Sequence, residues 1–203
     1  MASIIDIKRR KASVESTGQI TKAMKLVSTV KLQRAKQRAD ESKAYFNKMY
    51  ETISSILAKA GNINHPYLQE NGSTKKGIIT ISSNRGLAGG YNNNIVKLIR
   101  DSGMNKEDIM IYAVGHKAMD TLKHRGYEIV SDDSEMINEP VYDDARILGE
   151  KLLKAFEDGE IGEIYLAYTD FKNTVVHEPK LVNYSQLRMI SRQMKRNLKA
   201  RLQ

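Results

Sequence analysis

The sequence predicts an α/β fold, a three-layer domain on a mainly parallel sheet, preceded by a long helix suited to coiled-coil packing. Three observations predict it. Residues 76 to 185 alternate strand-like apolar runs with amphipathic helical stretches, the order that builds parallel sheets. Residues 1 to 60 contain no proline, a single glycine (Gly18), and apolar residues at mixed three and four spacing. Charge is divided unevenly: the first 60 residues hold 13 Lys and Arg against 5 Asp and Glu, and the remaining residues hold 20 against 19.

The helix comes first. Ser3-Ile-Ile-Asp6 has capping-box spacing, with Ser3 placed to accept a first-turn amide and Asp6 placed to complement the positive helix end. Gly18 costs about 1 kcal/mol relative to alanine without forcing a stop, so the helix runs to about Ala60. At 1.5 Å rise per residue it is about 85 Å long. Ile4, Ile7, Val14, Ile20, Ala23, Val27, Val30, Phe46, Met49, Ile53, Ile56 and Ala60 form a seam for another helix. Basic residues, among them Arg9, Arg10, Lys22, Lys25, Lys31, Arg34, Lys36 and Arg38, occupy the other faces, so a partner of this segment should be acidic.

Loop chemistry at Gly61-Asn-Ile-Asn-His-Pro66 and Asn71-Gly-Ser73 closes the helix, making residues 61–75 a linker. Strands are expected at Gly77–Ser82, Asp108–Val114, Tyr127–Ser131, Glu163–Thr169 and Thr174–Tyr184. Helices are expected at Asn93–Asp101, Lys117–His124 and 141–158. This gives a Rossmann-like domain over 76–185, its last two strands forming an antiparallel hairpin turned by Asp170-Phe-Lys-Asn173. A short basic segment, 186–203, follows.

Several function classes fall away. There is no cysteine, which removes disulfides and thiolate chemistry and fits a reducing cytoplasm. No run approaches a membrane span, and Met1-Ala-Ser-Ile-Ile-Asp lacks a signal-peptide core, so the chain is read as soluble and unprocessed or peripheral. Ser83–Gly90 sits where an α/β fold binds phosphate, but Gly86, Gly89 and Gly90 do not make the dinucleotide spacing and no P-loop Gly-Lys-Ser/Thr follows. A tight turn presenting Arg85 outward accounts for it better. His65, His116, His124 and His177 are scattered without metal spacing. Asp132, Asp133, Glu135, Asp143 and Asp144 read as a solvated acidic face, with hydrogen bonding or docking to a basic partner as the alternative. We assign no catalytic, cofactor or metal residue and expect a non-catalytic chain.

Two motifs carry a resemblance. Ile20-Thr-Lys-Ala-Met-Lys-Leu-Val27 and Ser83-Asn-Arg-Gly-Leu-Ala-Gly-Gly-Tyr-Asn92 closely resemble the gamma-subunit family of F-type ATP synthases, whose second motif is Ser-Asp-Arg-Gly-Leu-Cys-Gly followed by Asn. This chain departs from it at Asn84 and Ala88. Ile7-Lys-Arg-Arg10 and Ala12-Ser-Val14 fit as well. The resemblance implies an N-terminal helix that pairs with a long C-terminal helix as a shaft inside three alpha and three beta subunits. It also implies an α/β foot on the epsilon subunit and the membrane c-ring. Ion-driven rotation of ring and foot would drive the catalytic beta subunits, with nucleotide chemistry left to beta. The implied place is peripheral, at the cytoplasmic face of a bacterial cell membrane, with membrane association indirect through the complex.

On that resemblance, Lys22, Met24, Lys25 and Arg85 are the expected beta contacts. Ile20, Ala23, Val27 and Val30 are the coiled-coil seam, and Asp170, Phe171 and Lys172 are the foot contact. Past residue 185 the pattern breaks. Arg188–Gln203 spans only about 24 Å as helix, so the chain is read as truncated relative to the family and its seam as missing a partner. Two other classes compete: a basic-helix nucleic-acid adaptor, and a small-ligand α/β enzyme with an oligomerising helix. The apolar seam, the absence of an aromatic stacking stripe and the near-neutral α/β domain argue against the adaptor.

Overall fold

The computed structural model describes residues 3–59, 67 and 69–184. The loop expected at 61–66, Ala60 of the seam and the basic segment 186–203 lie outside the described residues. The chain divides into two compact units after Lys59.

The first unit is one helix, α1 (Ile4–Lys59), of 56 residues and about 84 Å. The capping box forms as the sequence predicts. Ser3 Oγ accepts the Ile5 amide at 3.3 Å, Asp6 Oδ2 accepts the Ser3 amide at 3.2 Å, and Ile7 N donates to Ser3 O at 3.1 Å. Side-chain support along the helix is local: Lys11–Glu15 at 3.8 Å, Lys48–Glu51 at 2.9 Å and Gln37–Glu41 at 2.9 Å. Such exposed pairs contribute only about 0.3–0.5 kcal/mol each. Thr17, Thr21, Thr29 and Thr52 turn their hydroxyls back to the carbonyl four residues earlier at 2.8 Å, a back-bonding that satisfies each hydroxyl within the helix at a small cost to it.

The second unit carries β1 (Lys76–Ile81), α2 (Tyr91–Arg100), β2 (Ile109–Val114), α3 (His116–His124), β3 (Glu128–Asp132), α4 (Tyr142–Glu157), β4 (Glu163–Phe171) and β5 (His177–Asn183). Short 3-10 turns at Lys106–Asp108 and Ser134–Ile137 precede β2 and α4. The sheet order is β3-β2-β1-β4-β5, with the first four strands parallel and β5 antiparallel to β4. β2 is apolar throughout and buried along its whole length, because helices cover both faces.

One face of the sheet packs Ile78, Ile111 and Ala167 against Ile95 and Ile99 of α2 and Ala118 and Leu122 of α3. The other packs Met110, Tyr112 and Val114 against Leu148, Leu152 and Phe156 of α4. These are the three layers. Each fully buried aliphatic side chain contributes about 1.5–3 kcal/mol of transfer free energy. Parallel β1 and β4 lie side by side although β1 continues to β2, so the topological switch point falls between β1 and β4, at their carboxyl ends.

The hairpin differs from the expectation. Asp170 and Phe171 are not turn residues but the last rungs of β4, paired with Glu178 and His177. The connection is Lys172–Val176, closed by Lys172 N and Asn173 N to Val176 O, and β5 starts at His177 rather than Thr174. The turn thus falls later in the chain and is one residue longer than expected, with Asn173 Oδ1 accepting the Val175 and Val176 amides at 2.9 Å to close it.

Candidate functional site

On α1, the motif residues separate by face. At about 100° per residue, Ala23, Met24 and Val27 fall within about 60° of Ile20 and Val30 within about 80°, whereas Lys22 and Lys25 lie about 140–160° away. Met24 therefore belongs to the flank of the seam, and only the two lysines share the opposite side. Ile20 and Val27 are 58% and 57% exposed. Among the described residues, neither lysine forms a salt bridge.

The loop after β1 is the most organised part of the second unit. β1 is followed by Ser82, whose Oγ donates to Gly115 O at 2.9 Å and accepts the Ala118 amide at 3.1 Å. The Ser82 amide donates to Val114 O at 2.8 Å. Gly115 adopts φ +116, and a Cβ there would collide with the Ser82 carbonyl, so only glycine allows this approach. Lys117 N donates to Ser83 O at 3.0 Å, and His116 N donates to Asn84 Oδ1 at 3.0 Å. The first amides of α3 are thus satisfied by Ser82, Ser83 and Asn84. Asn92 of α2 closes the other side, its Oδ1 accepting the Ser83 amide at 2.9 Å. Ser83 Oγ donates to the Arg85 carbonyl at 2.7 Å.

Asn84 reaches further. Its Nδ2 donates to the carbonyl of Ser134, in the turn before α4, at 2.8 Å. Ser134 is buried and bonds Asp132 through both its amide, at 3.1 Å, and its hydroxyl, while its Oγ accepts Gly115 N at 3.2 Å. Asp132 Oδ2 lies 3.6 Å from His116 Nδ1. Asp133 is held by Ser131 Oγ at 2.7 Å and by Lys151 of α4 at 3.2 Å. Asp132 and Asp133 follow the hydrogen-bonding alternative of the sequence reading: Asp132 stays exposed, as expected, and both are part of the framework that fixes the loop.

From that framework the tip projects. Residues 85–90 are all exposed, and Leu87 is 95% exposed with φ +61, the left-handed region that costs a branched side chain about 1–2 kcal/mol. Arg85 has no ion pair among the described residues. The sequence prediction of an outward Arg85 agrees with this geometry; Leu87 beside it was not foreseen, because nothing in composition marks a leucine that will take positive φ. Asn84 could be read as a turn former, but its partner 50 residues later could not.

At the far end of β4, Asp170 Oδ2 lies 2.9 Å from Lys172 Nζ and 2.5 Å from Lys180 Nζ, and Glu178 stands 3.9 Å from Lys180. Hydrogen bonds from Lys172 and then Lys180 hold the Asp170 carboxyl down at about 2. On the other face Phe171 stacks on His177 at 5.6 Å between ring centroids, and Val175 is 86% exposed. The structure therefore brings Asp170 and Lys172 together directly but points Phe171 away from them. The two open grooves lined by Asn71, Ser73, Lys75 and Glu160, and by Lys106, Asp108, Gly126 and Glu128, lie at the amino ends of the strands, opposite the end where open α/β sheets bind ligands. No group of acidic and histidine side chains able to hold a metal occurs among the described residues.

Comparison with known proteins decides the family. The family described as ATP synthase matches residues 3–200. The chain belongs to the ATP synthase gamma family. It is 61% identical to the ATP synthase gamma chain of Lachnoclostridium phytofermentans over 90% of this chain and 62% of that protein. It is 36% identical to the gamma chain of Alkaliphilus metalliredigens, with 87% and 61% covered. It is 34% identical to the gamma chain, sodium ion specific, of Acetobacterium woodii, with 89% and 60% covered. This gamma-family chain thus spans about three-fifths of the length of those relatives. In fold it is similar to a chain of the Euglena gracilis mitochondrial ATP synthase rotor, with TM-score 0.59 at 16% identity, covering 87% of this chain and 62% of that one. A chain in the same organism's OSCP/F1/c-ring structure gives TM-score 0.58 at 16% identity, with 87% and 56% covered.

Proposed function

We propose that this gamma-family chain is a central-stalk subunit that transmits ion-driven rotation of a c-ring to the catalytic beta subunits of an ATP synthase. The observation that carries the reading is α1: 56 residues in one helix, basic on most faces, with its described side chains exposed except Ser54. A helix of that form is built to lie inside a sleeve. Its lysines supply weak, screened attraction of about 0–1 kcal/mol per pair, which suits an element that must turn against its neighbours.

On this reading alpha and beta subunits surround α1, and Lys22, Lys25 and Arg85 face beta. Met24 flanks the seam of Ile20, Ala23, Val27 and Val30. The α/β unit is the foot, and Asp170, Phe171 and Lys172 meet the epsilon subunit or the c-ring. The chain carries no catalytic residue of its own, and nucleotide chemistry stays on beta. It is peripheral, at the cytoplasmic face of a bacterial cell membrane, and no described helix is long and apolar enough to cross that membrane. The test is co-expression with the alpha and beta subunits of the same source, followed by an ATPase assay. Turnover that depends on this chain, and falls on Lys25→Glu, supports the reading; turnover indifferent to its presence overturns it.

A further inference from the structure

We propose that Asn84 is the positioning residue of the Ser83–Gly90 loop and that in this chain, which departs here from the aspartate of the family motif, it acts as a neutral amide, tying the loop at once to the start of α3 and to the Ser134–Ile137 turn. The proposal rests on the functional reading above for why the pose of Arg85 and Leu87 matters. Its structural core does not depend on that reading.

The orientation of the amide is fixed by its neighbours. The His116 N–H can only donate, so the atom facing it at 3.0 Å is Oδ1, and the Ser134 carbonyl can only accept, so the atom facing it at 2.8 Å is Nδ2. An ionised carboxylate at this position would keep the first bond and lose the second. It would then press one oxygen against the Ser134 carbonyl, beside a turn that Asp132 already holds. A protonated carboxyl has one donor and one acceptor, as the amide does. Asn84→Asp should therefore convert a tie that ignores pH into one that acid restores.

The other charged groups around the site are accounted for. The His116 ring faces Asp132 at 3.6 Å, Asp133 is paired with Lys151 of α4, Glu135 sits in the turn, and Arg85 and Lys117 are exposed. The wild-type chain, run over the same range, is the reference against which both variants are read at each pH.

The experiment is amide hydrogen exchange by NMR on the full chain, from pH 3.5 to 7.5, for wild type, Asn84→Asp and Asn84→Ala. The probes are the amides of Ser83, His116, Lys117 and Met136, whose bonds close the base of the loop and the facing turn. Protection factors of both variants are read as ratios to wild type at the same pH. In Asn84→Asp, Lys117 and Met136 should lose protection by about ten-fold at pH 7.5, the effect of one lost hydrogen bond, and regain it at pH 3.5. His116 should stay protected in Asn84→Asp and lose protection at every pH in Asn84→Ala. Wild-type protection in Asn84→Asp at pH 7.5, or a flat pH response in that variant, would overturn the proposal.

Binding of the same variants to an alpha–beta subcomplex gives the second readout. Altered exchange with unchanged binding overturns the positioning role, because the pose would then not matter. A wild-type chain that does not bind the subcomplex overturns the functional reading alone, and the exchange data still decide whether Asn84 ties the loop.

Discussion

α1 and the α/β unit draw on the same aliphatic residues and put them to opposite use. Ile111 is fully buried between two helical layers, while Ile20 and Val27, equally apolar, stand more than half exposed. In the sheet, apolar burial on both faces of β2 gives the unit a core of its own. In α1, the described helix shows its backbone ladder, one capping box and a few exposed pairs, with its apolar residues left largely exposed. The difference teaches that the α/β unit has a core of its own, whereas the described side chains of α1, Ser54 apart, are exposed.

Substitutions should break that contrast or sharpen it. The largest effect is expected in the core: Ile111→Ala should destabilise the α/β unit by about 2–5 kcal/mol, whereas Val27→Ala should change the stability of the free chain by about 0.5 kcal/mol or less. Urea unfolding followed by tyrosine emission and by helical circular dichroism separates the two. Equal losses would mean the seam is already covered.

The tip of the loop should respond with the opposite sign. Leu87→Gly relieves a left-handed backbone and should raise thermal stability by up to about 1 kcal/mol, while Ala88→Gly next to it should lower stability by about 0.5–1 kcal/mol. A melting shift downward for both would contradict the assigned conformation. Smaller still, Lys25→Glu and Arg85→Glu should leave unfolding unchanged and weaken association with alpha and beta subunits by about 1 kcal/mol each. Surface plasmon resonance at two salt concentrations reads this, with the effect shrinking as salt rises.

The smallest effect is expected at the hairpin. Asp170 titrates near 2 in the folded chain against an ordinary 3.8, because Lys172 and Lys180 favour its charged form. A depressed folded pKa adds stability that is complete above about 4 and is lost as pH falls toward 2. Asp170→Asn should therefore flatten the acid limb of the stability profile between those values, and an unchanged limb would show that the two lysines do not act on this carboxyl.

Much of this was legible in the sequence, for identifiable reasons. Ser3 and Asp6 act within one turn, so the capping box and the helix start could be read locally. The alternation of Ile-rich strands with amphipathic helices gave the parallel sheet and its antiparallel edge. The hairpin turn was misplaced because Asn173 closes its loop through two backbone amides, a choice that spacing does not encode. At the candidate site Arg85 was visible as a cation in a glycine-rich turn. The Asn84–Ser134 tie was not, since it joins two loops only after the sheet has formed. For Asp132 and Asp133 the sequence left solvation and hydrogen bonding both open, because their partners, Ser134 and Lys151, are supplied by the turn before α4 and by α4 itself.

The most direct test of the central claim is the mass of the assembly formed when the full chain is mixed with purified alpha and beta subunits. A complex holding one copy of this chain per three alpha and three beta subunits, and weakened in the Lys25→Glu, Arg85→Glu double variant, is the expected result. A chain that stays unbound in that mixture while binding DNA in a salt-dependent manner would contradict it.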